Sequence, residues 1–401
     1  VTVTVIGIDG GPLPDGAEEA LHSARLVVGS RRHLEAHVPE GTRTLELGPF
    51  DPAMNALSSL AAGELGVVFA SGDPGFFGVL RTLRERGVRC SVLPATSSVQ
   101  QLMARVGRSW DDVTVVAAYE GDLSRAANVC RARPAVVVLT SPGAGPAQLG
   151  TALRGWRRSL TVGEQLGGTH ERLSTVSPEE AAERAWQEPN VVLCMSDPDA
   201  VPRRGWFAGG EPVPPDGWAL DESEFSHRDG TITKAEIRAV AVAKLAPRPG
   251  VLVWDVGAGS GSVAIECARL GAATIAVESD ESQSVRMVTN AAGHGADVRI
   301  EEGTAPKALR ELPKPDAVFV GGGESEVTTA CAYAGASRIV VALTTLDRVA
   351  VTREILGGAG YRVEGVQLSA NRITEPPESR LEAAEPVVLI SGVRVGERDG
   401  Q

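Results

Sequence analysis

An α/β fold in two successive halves is what the sequence predicts, and three observations carry the prediction. Apolar β-branched runs alternate with helical patterns along the whole chain. Several of these runs, such as Ala135–Thr140 and Asn190–Met195, are continuous, as expected of strands covered on both faces in a mainly parallel sheet. A Gly/Pro-rich stretch from Trp206 to Gly217 then interrupts the pattern, and neither a helix nor a central strand can persist through it. With 401 residues the chain exceeds one ordinary core. Its 43% hydrophobic content excludes a disordered chain. The boundaries that follow are a first domain over 1–208, a linker over 209–217 and a second domain over 218–401.

In the first half, strands are expected at Thr2–Ile8, Arg25–Gly29, Gly66–Ala70 and Val88–Leu93, ahead of the two continuous runs. The apolar opening lacks the basic start and small-residue cleavage site of a signal peptide, so it is read as the first strand. No uninterrupted apolar run approaches the ~18 residues of a membrane span. His33-Leu34-Glu35-Ala36-His37 sets two histidines one helical turn apart. A metalloprotease helix needs Glu directly after the first His, where this chain has Leu34, so a solvated helix face is expected.

The second half opens on a helix whose apolar stripe is Ile237, Val240, Ala241 and Leu245, with Thr233 and Glu236 in capping-box spacing. A strand at Val251–Val256 leads through Asp255-Val256-Gly257-Ala258-Gly259-Ser260-Gly261-Ser262 into a helix closed by Gly271. Strand Ala273–Glu278, helix Glu281–Ala292 and strand Asp297–Glu301 follow. Later strands are expected at Asp316–Val320, Arg338–Leu343, Tyr361–Leu368 and Val387–Val393. This alternation is that of a doubly wound sheet. A glycine-rich turn between its first strand and helix lets a ligand approach the backbone beside a helix N-terminus. Glu278 ends the next strand about 20 residues on, where a carboxylate can take both hydroxyls of a ribose.

Charge and cysteine usage narrow the partners. Basic residues number 39 against 51 acidic, a net charge of −12, with no long basic stretch, so nucleic acid is not an expected ligand. Cys90, Cys130, Cys194, Cys267 and Cys331 are scattered and odd in number. Metal-ligand spacing and a disulfide framework are both absent from that pattern, which fits a reducing, cytoplasmic setting with no metal.

The loop Asp255–Gly261, Glu278 and Gly303-Thr304-Ala305-Pro306 resemble the motifs of Rossmann-like S-adenosylmethionine methyltransferases. More narrowly, Thr233–Arg238, Trp254–Ser262 and Pro315–Gly323 resemble the decarboxylating methyltransferase domain of cobalamin biosynthesis. That resemblance implies donor contacts from Thr233, Gly257, Ala258, Gly259, Ser260, Gly261, Glu278 and Ala305, and places Gly322 and Gly323 near substrate. Thr233 has a second reading, as the cap of its helix. The first half is similar to the tetrapyrrole methylases, a two-lobed α/β fold. The carriers are the turn at Gly7, Ser71-Gly72-Asp73-Pro74-Gly75-Phe76-Phe77-Gly78, Pro94-Ala95-Thr96-Ser97-Ser98 and Gly163-Glu164-Gln165-Leu166. Carried over, Gly72, Asp73, Phe76, Thr96, Ser97, Ser98 and Leu166 would hold a second donor. Asp9 departs from the small residue usual in the opening loop.

Two such halves in this order resemble the fused decarboxylating precorrin methyltransferases. That family implies methylation of precorrin-6B at carbons 5 and 15 and loss of the ring C acetate carboxyl, giving precorrin-8X. One S-adenosylmethionine per domain and a homo-oligomer are expected. Neither a catalytic triad nor a metal cluster is evident, and no acid or base residue is assigned. A polycarboxylate ring should meet arginines, for which Arg31, Arg32, Arg238, Arg372 and Arg380 are candidates. Two other readings stay open at this point, an NAD-dependent oxidoreductase and a non-catalytic tetrapyrrole-binding protein. Ser262 and the Gly303–Pro306 motif argue against the first, and two intact loops against the second.

Overall fold

The computed structural model describes residues 2–47, 50–61, 63–118, 123–201, 208–209, 217–228, 232–373 and 379–394. Most of the expected linker, residues 210–216, lies outside them.

The first lobe runs β1 (Thr2–Ile8), α1 (Ala17–His22), β2 (Ala24–Gly29), α2 (Arg31–His37), β3 (Thr44–Glu46), α3 (Phe50–Ser58), β4 (Leu65–Ser71), α4 (Leu80–Glu85) and β5 (Arg89–Leu93). Its sheet, in the order β3-β2-β4-β1-β5, is parallel throughout. Val3 and Val5 of β1 enter one core, and Ile6 and Ile8 the core on the other face. Both faces of the strand are buried, hence its apolar run.

Helix α5 (Ser98–Val106) leads to the second lobe: β6 (Thr114–Ala117), α6 (Leu123–Ala132), β7 (Ala135–Leu139), α7 (Pro146–Ala152), β8 (Ser159–Glu164), β9 (Arg172–Val176), α8 (Pro178–Glu183) and β10 (Asn190–Met195). The order is β6-β7-β10-β8-β9, and only β6 and β7 pair in parallel. The expectation of a mainly parallel sheet fails here for a physical reason. Val136 and Val138 of β7 pack on the side of α6 and α7, whereas Val137 packs against Leu102 and Met103 of α5. Burial on two faces makes a run apolar whichever way its neighbours point.

The C-terminal half comprises α9 (Ala235–Leu245), β11 (Leu252–Val256), α10 (Ser262–Arg269), β12 (Ala273–Glu278), α11 (Glu281–Gly293), β13 (Val298–Glu302), β14 (Ala317–Val320), α12 (Ser325–Tyr333), β15 (Arg338–Leu343), α13 (Asp347–Gly358), β16 (Tyr361–Leu368), the short β17 (Arg372–Ile373) and β18 (Leu381–Glu382), and β19 (Val387–Arg394). Seven strands in the order β13-β12-β11-β14-β15-β19-β16 form one sheet, with β19 antiparallel to both neighbours. The doubly wound expectation holds.

Between β13 and β14 the chain makes a single 3-10 turn, Lys307–Leu309, instead of a crossover helix. The first half fills that place. Trp156, 5% exposed, joins the core of Leu252, Trp254, Ala273 and Ile275, with Ala132 of α6 packed alongside. The guanidinium groups of Arg131 and Arg158 lie 5.5 and 5.9 Å from the Trp156 ring centre. Asn128 donates to the Gly250 carbonyl at 3.0 Å, and Arg158 reaches Asp297 at 2.6 Å. The two halves therefore share a core and are not merely tethered.

Candidate active sites

Three loops of the first lobe converge behind a cleft between the lobes. A Cβ on Gly7 would stand 2.5 Å from the Gly72 carbonyl and 2.7 Å from the Ala95 amide, so β1, β4 and β5 release their loops in near contact. The two lobes meet as closely at Gly10 and Gly167, where a Cβ on Gly167 would strike the Asp9 carbonyl. Asp9 organises this junction: its carboxylate accepts from the amides of Gly11 (3.0 Å) and Thr96 (3.1 Å), and its carbonyl accepts from the buried Gln101 side chain (2.9 Å). The departure noted at this position is thus a loop tie.

The cleft holds about 570 Å³, within the range of roughly 300–1,000 Å³ typical of small-molecule sites. Of the donor residues expected in this half, Gly72, Thr96, Ser98 and Leu166 line it. Asp73 lines an adjoining hollow that shares Asp9 and Thr96 with the cleft. Ser97 is the N-cap of α5, closing a capping box with Gln100. Phe76 lines neither hollow and stacks edge-on against Phe77 at 5.0 Å, both rings exposed. The two histidines of α2 correct the solvated-face expectation. His33 is 7% exposed, both line the cleft, and both set their rings against Phe69 at 6.3 and 6.0 Å. Gln165 of the Gly163–Leu166 motif also lines it, as do Thr140 and Asn190, which no local signal in the sequence marks.

In the C-terminal half, Gly257, Gly259 and Gly261 carry φ values of +73°, +55° and +76°, a left-handed run that side chains resist. The three have different surroundings. A Cβ at Gly257 would press on Gly322, and one at Gly261 would overlap Met287 at 2.4 Å, whereas Gly259 faces open space. Ala258 donates to the Val277 carbonyl, and the Ser260 carbonyl accepts from Asn290, so the loop is fixed on either side of that opening. Glu278 ties it to the next strand: one carboxylate oxygen accepts from Gly259 N at 2.8 Å, the other from Ser279 and Asp280 N at 2.8 and 3.0 Å. An open glycine backbone at a helix start, edged by a carboxylate, fits the ribose and amino-acid ends of S-adenosylmethionine. Glu278→Ala is expected to weaken S-adenosylhomocysteine binding by roughly ten- to a hundredfold, read by calorimetry on the full chain. Unchanged affinity would remove Glu278 from the site.

Asp255, 1% exposed, sits beneath this loop. Its Oδ2 accepts from Ala264 N at 2.9 Å, while Oδ1 has no partner among the described residues. Burial pushes its carboxyl up to about 7, against the Ala264 hydrogen bond and with help from the neighbouring Glu278 charge. The unfolded chain ionises this group near pH ~4. From there to about 7 the folded protein keeps a proton that the unfolded chain has lost, so stability falls as pH rises through that window. Asp255→Asn removes the effect. Relative to the parent, its Tm is expected to improve by roughly 5–10 °C on going from pH 5 to pH 8. A pH-independent difference would refute the assignment.

Thr233 does not cap its helix. Lys234 occupies the N-cap without a side-chain bond, and Ala235 N donates to Glu222 at 2.8 Å instead. The cap-spacing reading fails because a carboxylate from an upstream turn reaches the free amide first. Ala305 packs beside the main core, and Gly323, at φ +101°, abuts Val327. The arginine candidates separate. Arg32 lines the cleft; Arg31 pairs with Glu46 at 3.0 Å and does not line it. Arg372 is held by Glu222 and Glu236, and Arg380 is exposed near β18. Arg238 is fully buried against Glu266 at 2.7 Å, which excludes it as an accessible substrate contact.

A seven-stranded sheet with one reversed strand, a left-handed glycine loop and a carboxylate at the end of the second strand define an S-adenosylmethionine-dependent methyltransferase. Comparison with known proteins agrees for both halves: residues 6–182 match the family described as Tetrapyrrole (Corrin/Porphyrin) Methylases, and residues 224–388 the Precorrin methyltransferase domain. The precorrin-6Y C(5,15)-methyltransferase (decarboxylating) of Sinorhizobium sp is 36% identical over 382 residues, covering 91% of this chain and 90% of that one. A probable cobalt-precorrin-6B C(15)-methyltransferase (decarboxylating) of Pyrobaculum calidifontis is 38% identical over 164 residues, 38% of this chain and 84% of that one. The crystal structure of the C-terminal domain of a precorrin-6Y C5,15-methyltransferase from Rhodobacter capsulatus is 33% identical, with a TM-score of 0.40, covering 46% of this chain and all of that one. The chain belongs to the precorrin-6Y C(5,15)-methyltransferase (decarboxylating) family.

Proposed function

We propose that the chain methylates precorrin-6B at carbons 5 and 15 and removes the ring C acetate carboxyl, in cobalamin biosynthesis, with one methyl-donor site in each half. The observation that carries this reading is the pair of separate openings, a cleft of about 570 Å³ between the N-terminal lobes and the uncrowded backbone at Gly259 beside Glu278. Carbon 5 is assigned to the N-terminal cleft. Carbon 15 and the decarboxylation are assigned to the C-terminal site, supported by the shorter relative that carries those two activities in its name. The division into 1–208 and 218–401 and self-association of the chain belong to the same proposal.

S-adenosylmethionine supplies a methyl group already activated on a sulfonium. The chain's work is therefore to hold an electron-rich ring carbon in line with it and to keep water out, and such positioning is worth roughly 7–11 kcal/mol. At the C-terminal site the backbone at Gly257–Gly261 and the Glu278 carboxylate fix the donor, and the Gly321–Gly323 turn closes the wall beside Gly257. Carbon dioxide loss needs an electron sink, which the conjugated ring provides. Incubation of the full chain with precorrin-6B and S-adenosylmethionine, followed by mass spectrometry, tests the reading. Two added methyl groups and one lost carbon dioxide are expected, and a ring returned unchanged rejects it.

A further inference from the structure

We propose that Arg32 is the cation that receives a side-chain carboxylate of the tetrapyrrole in the N-terminal cleft, and that His33 positions it. The inference rests on the reading of this cleft as the ring site.

Helix α2 presents Arg32, His33, Ala36 and His37 to one wall of the cleft, opposite Leu139, Thr140 and the segment 188–191. The Arg32 guanidinium is held from two sides: Nε donates to His33 Nε2 at 3.2 Å and one terminal nitrogen to Ser71 Oγ at 3.0 Å. Among the described residues its Nη1 makes no hydrogen bond and the group forms no ion pair. Partial burial lowers the Arg32 pKa, but a guanidinium stays charged at any physiological pH. A guanidinium oriented by two neutral partners, with a terminal nitrogen left over, is set to donate a charge-assisted hydrogen bond to an anion.

Two carboxylates line the cleft, Asp9 and Glu188, and neither forms an ion pair with Arg32 among the described residues. Asp9 is occupied by the Gly11 and Thr96 amides, and Glu188 raises the Arg32 pKa only through space. Arg32 is also the one permanently charged cation among the described residues that line the cleft. A ring that carries several acetate and propionate groups brings the missing partner.

His33 can accept from Arg32 only as the neutral ring protonated at Nδ1. Burial, then the charges of Arg32 and His37, push its pKa down to about 4, so the ring is uncharged at neutral pH and free to accept at Nε2. The ring is wedged edge-on against Phe69, which fixes where Nε2 points. His33 thus aims Arg32 without adding a charge to it.

The donor's own amino-acid carboxylate is the other possible source of the anion, and the test separates the two. With the full chain, Arg32→Gln is expected to raise the KM for the tetrapyrrole in carbon 5 methylation by roughly ten- to a hundredfold. The S-adenosylhomocysteine affinity and carbon 15 methylation should stay unchanged. His33→Leu should raise the same KM by roughly three- to tenfold with kcat intact, and His33→Gln, which keeps an acceptor near the Nε2 position, should restore it. A fall in donor affinity with unchanged ring KM would assign Arg32 to the donor and overturn the proposal. So would equal KM values for His33→Leu and His33→Gln, or no change in either Arg32 constant. If the parent chain fails to methylate carbon 5 at all, the underlying reading of the cleft fails instead.

Discussion

Glu266→Ala is expected to destabilise the C-terminal half by about 3–5 kcal/mol, the cost of leaving a buried charge without its counter-ion. Arg238 and Glu266 are both fully buried, joined at 2.7 Å, and each has further obligations. Glu266 also accepts from Ala219 N at 2.9 Å and Leu220 N at 3.0 Å, and Arg238 donates to the carbonyls of Thr233 and Leu220 while lying 4.9 Å from the Phe225 ring centre. This network fastens the segment that enters the domain, residues 219–225, to α9 and α10. Alanine would leave one buried guanidinium without its counter-ion and two amides without their acceptor. Thermal unfolding should begin roughly 10 °C lower, and limited proteolysis should cut first near residues 217–228. Glu266→Gln keeps an acceptor and should lose less. A Tm within a degree of the parent would refute the account.

The same network shows what the sequence conceals. Arg238 reads as a candidate substrate contact because a polycarboxylate ring should meet arginines, and nothing within its own helix announces a partner. That partner stands 28 residues away on α10, and pairs of this kind are set by packing, not by local pattern. Trp156 is a stronger case: its neighbours in the core are Leu252 and Trp254, beyond the linker, where the second half has a 3-10 turn in place of a helix. His33 and His37 read as a solvated face for a related reason, since a cleft wall and a solvated helix face have the same spacing along one helix. By contrast, the glycine loop and Glu278 were legible because each occupies a strand end, and the strand that ends there is visible from its own residues. The C-terminal sheet was legible throughout for the same reason, its elements alternating at short range. In the second lobe the strands were partly visible and their direction was not, because residues buried on both faces look alike in parallel and antiparallel pairs.

Gly259→Arg should abolish carbon 15 methylation while leaving the carbon 5 reaction running. The position is singular within its loop. Gly257 and Gly261 are glycine because the protein itself crowds them, by Gly322 and by Met287, so substitution there would distort the fold and prove little about ligands. At Gly259 no described residue beyond its chain neighbours comes within 4 Å of an added Cβ, and the intrinsic penalty is the left-handed φ of +55°, about 1–2 kcal/mol. A side chain there extends into the opening edged by Glu278, where the donor is proposed to lie. The variant belongs in the full chain, because Trp156 is part of the C-terminal core and a truncated half would uncover it. Given precorrin-6B and S-adenosylmethionine, the product should carry one added methyl and retain its acetate carboxyl. Gly259→Ala shares the backbone strain and leaves most of the space open, so it should keep measurable carbon 15 activity. If both variants lose that activity equally, strain in the loop explains the result and the opening is not the donor's place. If Gly259→Arg still adds two methyl groups and loses carbon dioxide, the donor for carbon 15 is bound elsewhere.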